Sequence, residues 1–265
     1  LSTIKVDFNI YKKYRELIKP FMLGLFTCYL FIPLLFFLIG SILIRINVIN
    51  FPLFVGILIT GAVPLAAGST LVWSKELGGK VEVTLLLIVT TILASPLITP
   101  SYIYLFLRDR VTINIQNMFF EMALIIFIPL LASFYFKKKF IKNLNPNFSF
   151  IIIGIIINIA VSKSAEKLDL VKDYLIISIV LSLIFIAITL LVLSLFSKGL
   201  GLKNEEKESI YMPSFFKNVS LAIIIVSFFE PEVVFFPVIY YIVEQIIPPI
   251  YYEIKKYNSE IFKLI

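Results

Sequence analysis

The residues with chemistry to offer are few, and they lie in unusual places. Lys217 and Asn218 sit inside the apolar stretch 210–229, four and five residues after Pro213. Glu244 and Gln245 fall midway through a second stretch, 233–252, and Ser69 and Thr70 close a third that also carries Pro64 and Gly68. Ionisable side chains at membrane depth are costly and mark ion or substrate pathways. A proline beside them frees backbone groups that only a neighbouring helix or a cavity can satisfy. The chain has no His and a single cysteine, Cys28, which excludes imidazole proton relays, His-based metal sites and a disulfide framework. Glu121, Lys217 and Glu244 are too scattered to form a catalytic set. No catalytic residue, metal or cofactor is therefore expected, and the chain does not read as an enzyme.

Each of these residues has a plain reading beside a functional one. Lys217 lies seven residues after Ile210, about 10 Å along a helix. It either snorkels or pairs structurally, or its ammonium replaces a coupling cation, binds an anionic substrate or carries a proton. Glu244 lies about 16 Å into its stretch by the same rise, where it either glues helices together or contacts substrate or a proton. Asn218 faces a cavity or caps broken backbone. Ser69 and Thr70 do the same, or bond their own i−4 carbonyls. Thr90 and Thr91 are weaker candidates for the same cavity, as is Cys28, whose plain reading is packing. Asn158 reads as interhelical glue, and Trp73, Lys75 and Glu76 as interfacial residues.

The elements that must position these groups follow from composition. Hydrophobic residues make up 60% and charged residues 15% of the 265, and mean hydropathy is +0.99, far from an ordinary soluble domain. An all-α polytopic membrane protein is expected, in contact with a lipid bilayer. At about 20 residues per crossing, eight spans are predicted: A (21–43), B (51–72), C (81–107), D (118–136), E (148–161), F (174–195), G (210–229) and H (233–252). Alternate loops hold 17 Lys and Arg against 6, with Lys217 inside span G. By the positive-inside rule both ends of the chain are then cytoplasmic. The net charge of +7 is explained by these loops, so nucleic acid is not an expected partner. The first twenty residues are charged and amphipathic, without the apolar core of a signal peptide.

Three offsets suggest an internal repeat. Phe21 and Tyr174 open spans 153 apart, Pro64 and Pro213 are 149 apart, and Pro96 and Pro248 are 152 apart. Triplet A-B-C then matches F-G-H, inverted in the membrane. The expected organisation is one transporter domain, 1–265, with an incomplete first repeat, 1–110, and a second, 111–265. Two helices are expected ahead of Leu1. Paired interrupted segments in two inverted halves point to a midplane site.

At these residues the chain resembles the bile acid/sodium symporter superfamily. The resemblance runs through IKPFMLGLF followed by FIPL, G-x-x-P-x-x-x-x-S leading into ELGGKVEVTLLL, TTILASPLITP, and F-x-K-N-x-x-L-A. It implies ten helices in two inverted repeats, of which eight are in this chain, with two discontinuous helices that cross. It also exposes departures. Where the family has Ser-Asn in the first broken helix, this chain has Ser69-Thr70, and where it has a Gln in the preceding helix, this chain has Cys28. The Glu-x-x-x-Gln-Asn of the second broken helix reads Pro213-x-x-x-Lys217-Asn218. Sodium needs oxygen ligands, and a cation in their midst repels it, so conventional sodium coupling is not expected. The resemblance implies a secondary transporter of a small organic anion in the cell membrane, working by alternating access, with proton coupling or exchange. Alternatives are an arsenite- or auxin-type efflux carrier and a non-transporting membrane sensor on the same fold.

Overall fold

A computed structural model describes residues 14–108, 114–135 and 168–264. The chain enters through one rod made of α1 (Tyr14–Phe26), a π-turn (Thr27–Phe31) and α2 (Ile32–Arg45). Next come α3 (Phe51–Ala62), α4 (Gly68–Glu76), α5 (Val81–Leu107) and α6 (Ile115–Tyr135). The remainder is α7 (Leu168–Gly199), α8 (Asn204–Phe215), α9 (Val219–Val226), a 3-10 turn (Pro231–Val234) and α10 (Phe235–Leu264). Among the described residues the structure is all-helical, and five helices are long and apolar enough to cross a membrane. These correspond to spans A, C, D, F and H. Spans B and G are each broken into two half-helices, α3/α4 and α8/α9. Span E and Asn158 lie outside the described residues.

The helices start and stop for local reasons. Asn50 accepts the Leu53 N–H at 3.0 Å, with Pro52 just inside the first turn of α3, the usual N-terminal signature. The α4 helix ends on Gly78, whose φ of 78° lets the Gly79 N–H reach back to the Ser74 carbonyl at 2.7 Å. This is the left-handed C-terminal cap that glycine adopts without strain. In the first turn of α8, the Glu206 carboxylate folds back onto the Lys203 N–H at 2.9 Å and meets the Lys80 ammonium at 2.8 Å. Burial works against its charge, but these two contacts outweigh it and hold the carboxyl below its ordinary range.

Proline within a helix leaves the carbonyl four residues back without its N–H, and in an apolar medium that carbonyl must find another donor. The chain supplies hydroxyls. Pro33 strips the Tyr29 carbonyl, which takes the Tyr102 hydroxyl. Pro96 strips Ile92, which takes Ser95 Oγ at 2.8 Å. Pro213 strips Ser209, which takes Thr84 Oγ1 at 3.1 Å, while Thr84 also bonds Ser74 at 2.7 Å. The last arrangement ties α4, α5 and α8 together at one end of the bundle. Lys255 of α10 reinforces the same end, donating to the Leu77 carbonyl at 2.9 Å and to Glu208 at 2.7 Å.

At the other end, α3 packs on α2 and α10. Phe36 stacks on Phe185 with centroids 3.8 Å apart, and Phe54, Phe236 and Tyr240 complete this core. At Gly56, α3 comes so near the 3-10 turn that a Cβ would stand 2.6 Å from the Val233 carbonyl oxygen. Replacing Gly56 by Ala forces backbone apart and is expected to cost about 1–3 kcal/mol. A Cβ at Gly68 meets nothing within 4 Å, so Gly68→Ala should stay within about 0.5 kcal/mol of the parent. Thermal midpoints of the two variants in detergent check this, and equal midpoints would contradict the packing described.

Candidate functional site

The site is where the two broken helices meet. After Ala62 the backbone of α3 turns extended at Val63, with φ −71° and ψ 153°, and helix resumes at Gly68. After Phe215 the chain extends through Phe216, with φ −73° and ψ 113°, and helix resumes at Val219. The two gaps lie against each other, with Leu65 and Lys217 paired as a one-rung antiparallel bridge. The Ala66 N–H donates to the Phe216 carbonyl at 3.2 Å, and the Asn218 N–H donates to the Pro64 carbonyl at 2.9 Å. Leu65 and Lys217 are 152 residues apart, whereas Pro64 and Pro213 are 149 apart. The two prolines therefore occupy different places, Pro64 in its gap and Pro213 in the last turn of α8.

A helix that stops inside the protein leaves its last carbonyls without partners. For α3 the four carbonyls from Gly61 to Pro64 are met by three groups. Thr99 Oγ1 donates to Ala62 at 2.8 Å, the Asn218 N–H serves Pro64, and Lys217 Nζ reaches Gly61 at 3.3 Å and Val63 at 3.4 Å. The last two distances are long for hydrogen bonds. They are best described as a cation held against carbonyl dipoles at the negative end of a helix. Lys217 is only 2% exposed, so its ammonium does not snorkel out.

Glu244, from the middle of α10, is fully buried beside it. Its Oε2 accepts the backbone N–H of Lys217 at 2.9 Å, and its Oε1 faces Gln245 Nε2 at 3.4 Å. Among the described contacts no ion pair joins Glu244 to the Lys217 ammonium, which is turned the other way, onto α3. The carbonyls at the end of α3 compete for the same cation and hold it. Tyr240 donates to the Phe215 carbonyl at 2.9 Å, fixing α10 to the end of α8. A crevice too narrow for a water molecule runs along this contact, lined by Thr60, Val63, Lys217, Tyr240, Tyr241 and Glu244, among others.

The remaining sequence candidates separate. Asn218 caps α9, its side chain accepting the Leu221 N–H at 3.1 Å, and so does the structural work that was one of its two readings. Cys28, in the π-turn, is buried near Ser214 and within electrostatic reach of Lys217. Ser69 and Thr70 lie in the first turn of α4. That turn has no side-chain cap, and Ala67 and Gly68 beside it are exposed. Thr70 is fully buried and its hydroxyl has no hydrogen-bond partner. Thr91 is buried with its hydroxyl spent on the Ile88 carbonyl at 3.1 Å, and Thr90 is half-buried.

Thr60, Thr99, Ser214 and Tyr240 are part of the arrangement and were not singled out from the sequence. A hydroxyl within an apolar helix is a weak signal, although Thr99 directly precedes Pro100 and Tyr240 lies one turn before Glu244. The site thus offers a fixed cation, a buried carboxyl and a half-helix N-terminus with an unpaired hydroxyl. Among the described residues no cluster of three or more His, Cys, Asp or Glu side chains could hold a metal ion.

A family model described as the sodium bile acid symporter family matches residues 2–200. The match takes in the π-turn, the first broken helix and α5 to α7, and so contains Cys28, Ser69, Thr70, Thr90 and Thr91. It ends before the second broken helix, and Lys217, Asn218, Glu244 and Gln245 follow it. A search of the curated proteins finds no match. With three quarters of its length matched and its apolar helices packed around two interrupted ones, the chain belongs to the sodium bile acid symporter family and is a multi-pass membrane transporter of that type.

Proposed function

We propose that this transporter moves a small organic anion by alternating access without sodium, with the ammonium of Lys217 serving as a built-in cation at the meeting of the two broken helices. The observation that carries this reading is the position of Lys217 Nζ against the Gly61 and Val63 carbonyls. Oxygen ligands at the end of a broken helix are what a hard cation such as sodium seeks. Here a covalently attached charge already faces them. The loss of carboxylate at Pro213 and of amide at Lys217, relative to the motif the family resemblance implies, argues in the same direction.

The anion belongs at the first turn of α4. Half-helix N-termini present N–H groups and the positive end of a dipole, and Thr70 adds a buried hydroxyl with no partner. The crevice by Glu244 is closed to water, so substrate enters in another state of the cycle. In this reading residues 1–110 and 111–265 are inverted counterparts, supported by the shared 152-residue spacing of Leu65 with Lys217 and of Pro96 with Pro248. The surplus of Lys and Arg in alternate loops supports a cell-membrane orientation with both ends of the chain on the cytoplasmic side. Coupling is to protons, or the carrier runs as an exchanger.

Uptake into proteoliposomes tests this. Saturable uptake of small carboxylates should be equal in sodium and choline media. Lys217→Met leaves two buried carbonyls without a donor, a cost of about 1–3 kcal/mol, and should lower uptake roughly tenfold or more. Strict sodium dependence with a fixed stoichiometry would overturn the proposal.

A further inference from the structure

We infer that Glu244 is the binding site of the coupling proton, taking it up in one state of the carrier and releasing it in the other. The inference rests on the transport reading above and chooses between its two modes of coupling.

Three observations carry it. Glu244 is fully buried, and the nearest ammonium is bonded elsewhere, to the Gly61 and Val63 carbonyls. A carboxylate in a dry interior without a cation in contact is costly, and gaining a proton removes that cost. The second observation is mechanical. Glu244 Oε2 holds the Lys217 peptide N–H at 2.9 Å, inside the gap that pairs with Leu65. Carboxylate is the stronger acceptor for that N–H, so proton uptake on the carboxyl loosens the grip of α10 on the crossing. A bound proton therefore has different free energy in the two states, as coupling requires.

The third observation concerns access. The crevice along Glu244 has no room for water in this state. Proton exchange with solvent through it must wait until α10 and the gap move apart, which prevents an uncoupled leak. The step is a simple transfer: hydronium in the opened crevice gives its proton to a carboxylate oxygen and leaves as water, and the reverse occurs on the opposite side. Around the carboxyl are the Lys217 peptide from the second gap, whose ammonium lines the same crevice but is held on α3, Gln245 beside it, and Tyr240 and Tyr241 from its own helix. Lys217 is the charged group acting on it. Cys28 of the π-turn acts in turn on Lys217 and Tyr240.

Two measurements on the full chain in phosphatidylcholine liposomes test the inference. The first needs no substrate. The lone buried Cys28 is labelled with a small maleimide across a range of pH in the parent protein and in Glu244→Gln. The thiol's own ionisation largely cancels in the ratio of the two rates. A ratio that changes at least about threefold between acid and alkaline media is expected as protonation shifts the population, and a ratio constant with pH overturns the inference. The second uses pyruvate and succinate as probes with a trapped pH dye. Uptake by the parent should carry protons inward, and uptake without acidification overturns the inference even where Glu244→Gln fails to fold. If neither probe shows saturable uptake, that counts against the transport reading, and the labelling ratio alone decides the role of Glu244.

Discussion

In the interior of a bilayer every backbone N–H and C=O must find a partner within the protein, and stopping two helices in the middle of the bundle violates this rule twice. The structure meets the demand by laying one violation on the other. The Ala66 and Asn218 N–H groups serve the carbonyls of Phe216 and Pro64, a single rung of sheet inside an otherwise helical molecule. Four groups remain at the end of α3 and α8 that the rung cannot reach. Thr99, Tyr240 and the Lys217 ammonium serve them. The charge is therefore part of the backbone accounting, and a mobile ion that came and went would leave Gly61 and Val63 exposed to each other's dipoles at every departure.

The same accounting explains the distribution of hydroxyls. Ser95, Tyr102 and Thr84 each serve a carbonyl that a proline has stripped. Two of them keep the carbonyls stripped by Pro96 in α5 and Pro213 in α8 partnered. At one end of the bundle Thr84, Lys80 and Lys255 bind the outer ends of α4 and α8, while at the other Gly56 lets α3 touch the 3-10 turn. Between these two anchored extremities the half-helices meet at the crossing. The one buried hydroxyl of this region without a partner, that of Thr70, lies at that point.

Much of this was legible in residue order. The apolar runs gave α5 its full extent, Val81–Leu107, and the prolines marked both interrupted spans. Lys217, Glu244, Ser69 and Thr70 stood out because polar groups inside apolar runs are expensive. What the sequence could not show was direction. Glu244 meets the peptide of Lys217 and not its ammonium, because the rival ligands are main-chain carbonyls 154 and 156 positions away, and carbonyls have no sequence signature. The role of Asn218 as a cap, and the shift between Pro64 and Pro213, depend likewise on where each helix ends, which the spacing of prolines fixes only to within a turn. Residues 136–167, including Asn158, lie outside what is described.

The central claim is that a lysine ammonium fills the cation position at the end of α3. Ligands that bind the folded state alone raise its stability in proportion to the logarithm of their concentration, so the most direct measurement is the thermal midpoint of the purified protein in sodium chloride and in choline chloride of equal strength. The account predicts the same midpoint in both at every concentration. A saturable, sodium-specific rise in midpoint in the protein with Lys217 intact would contradict it.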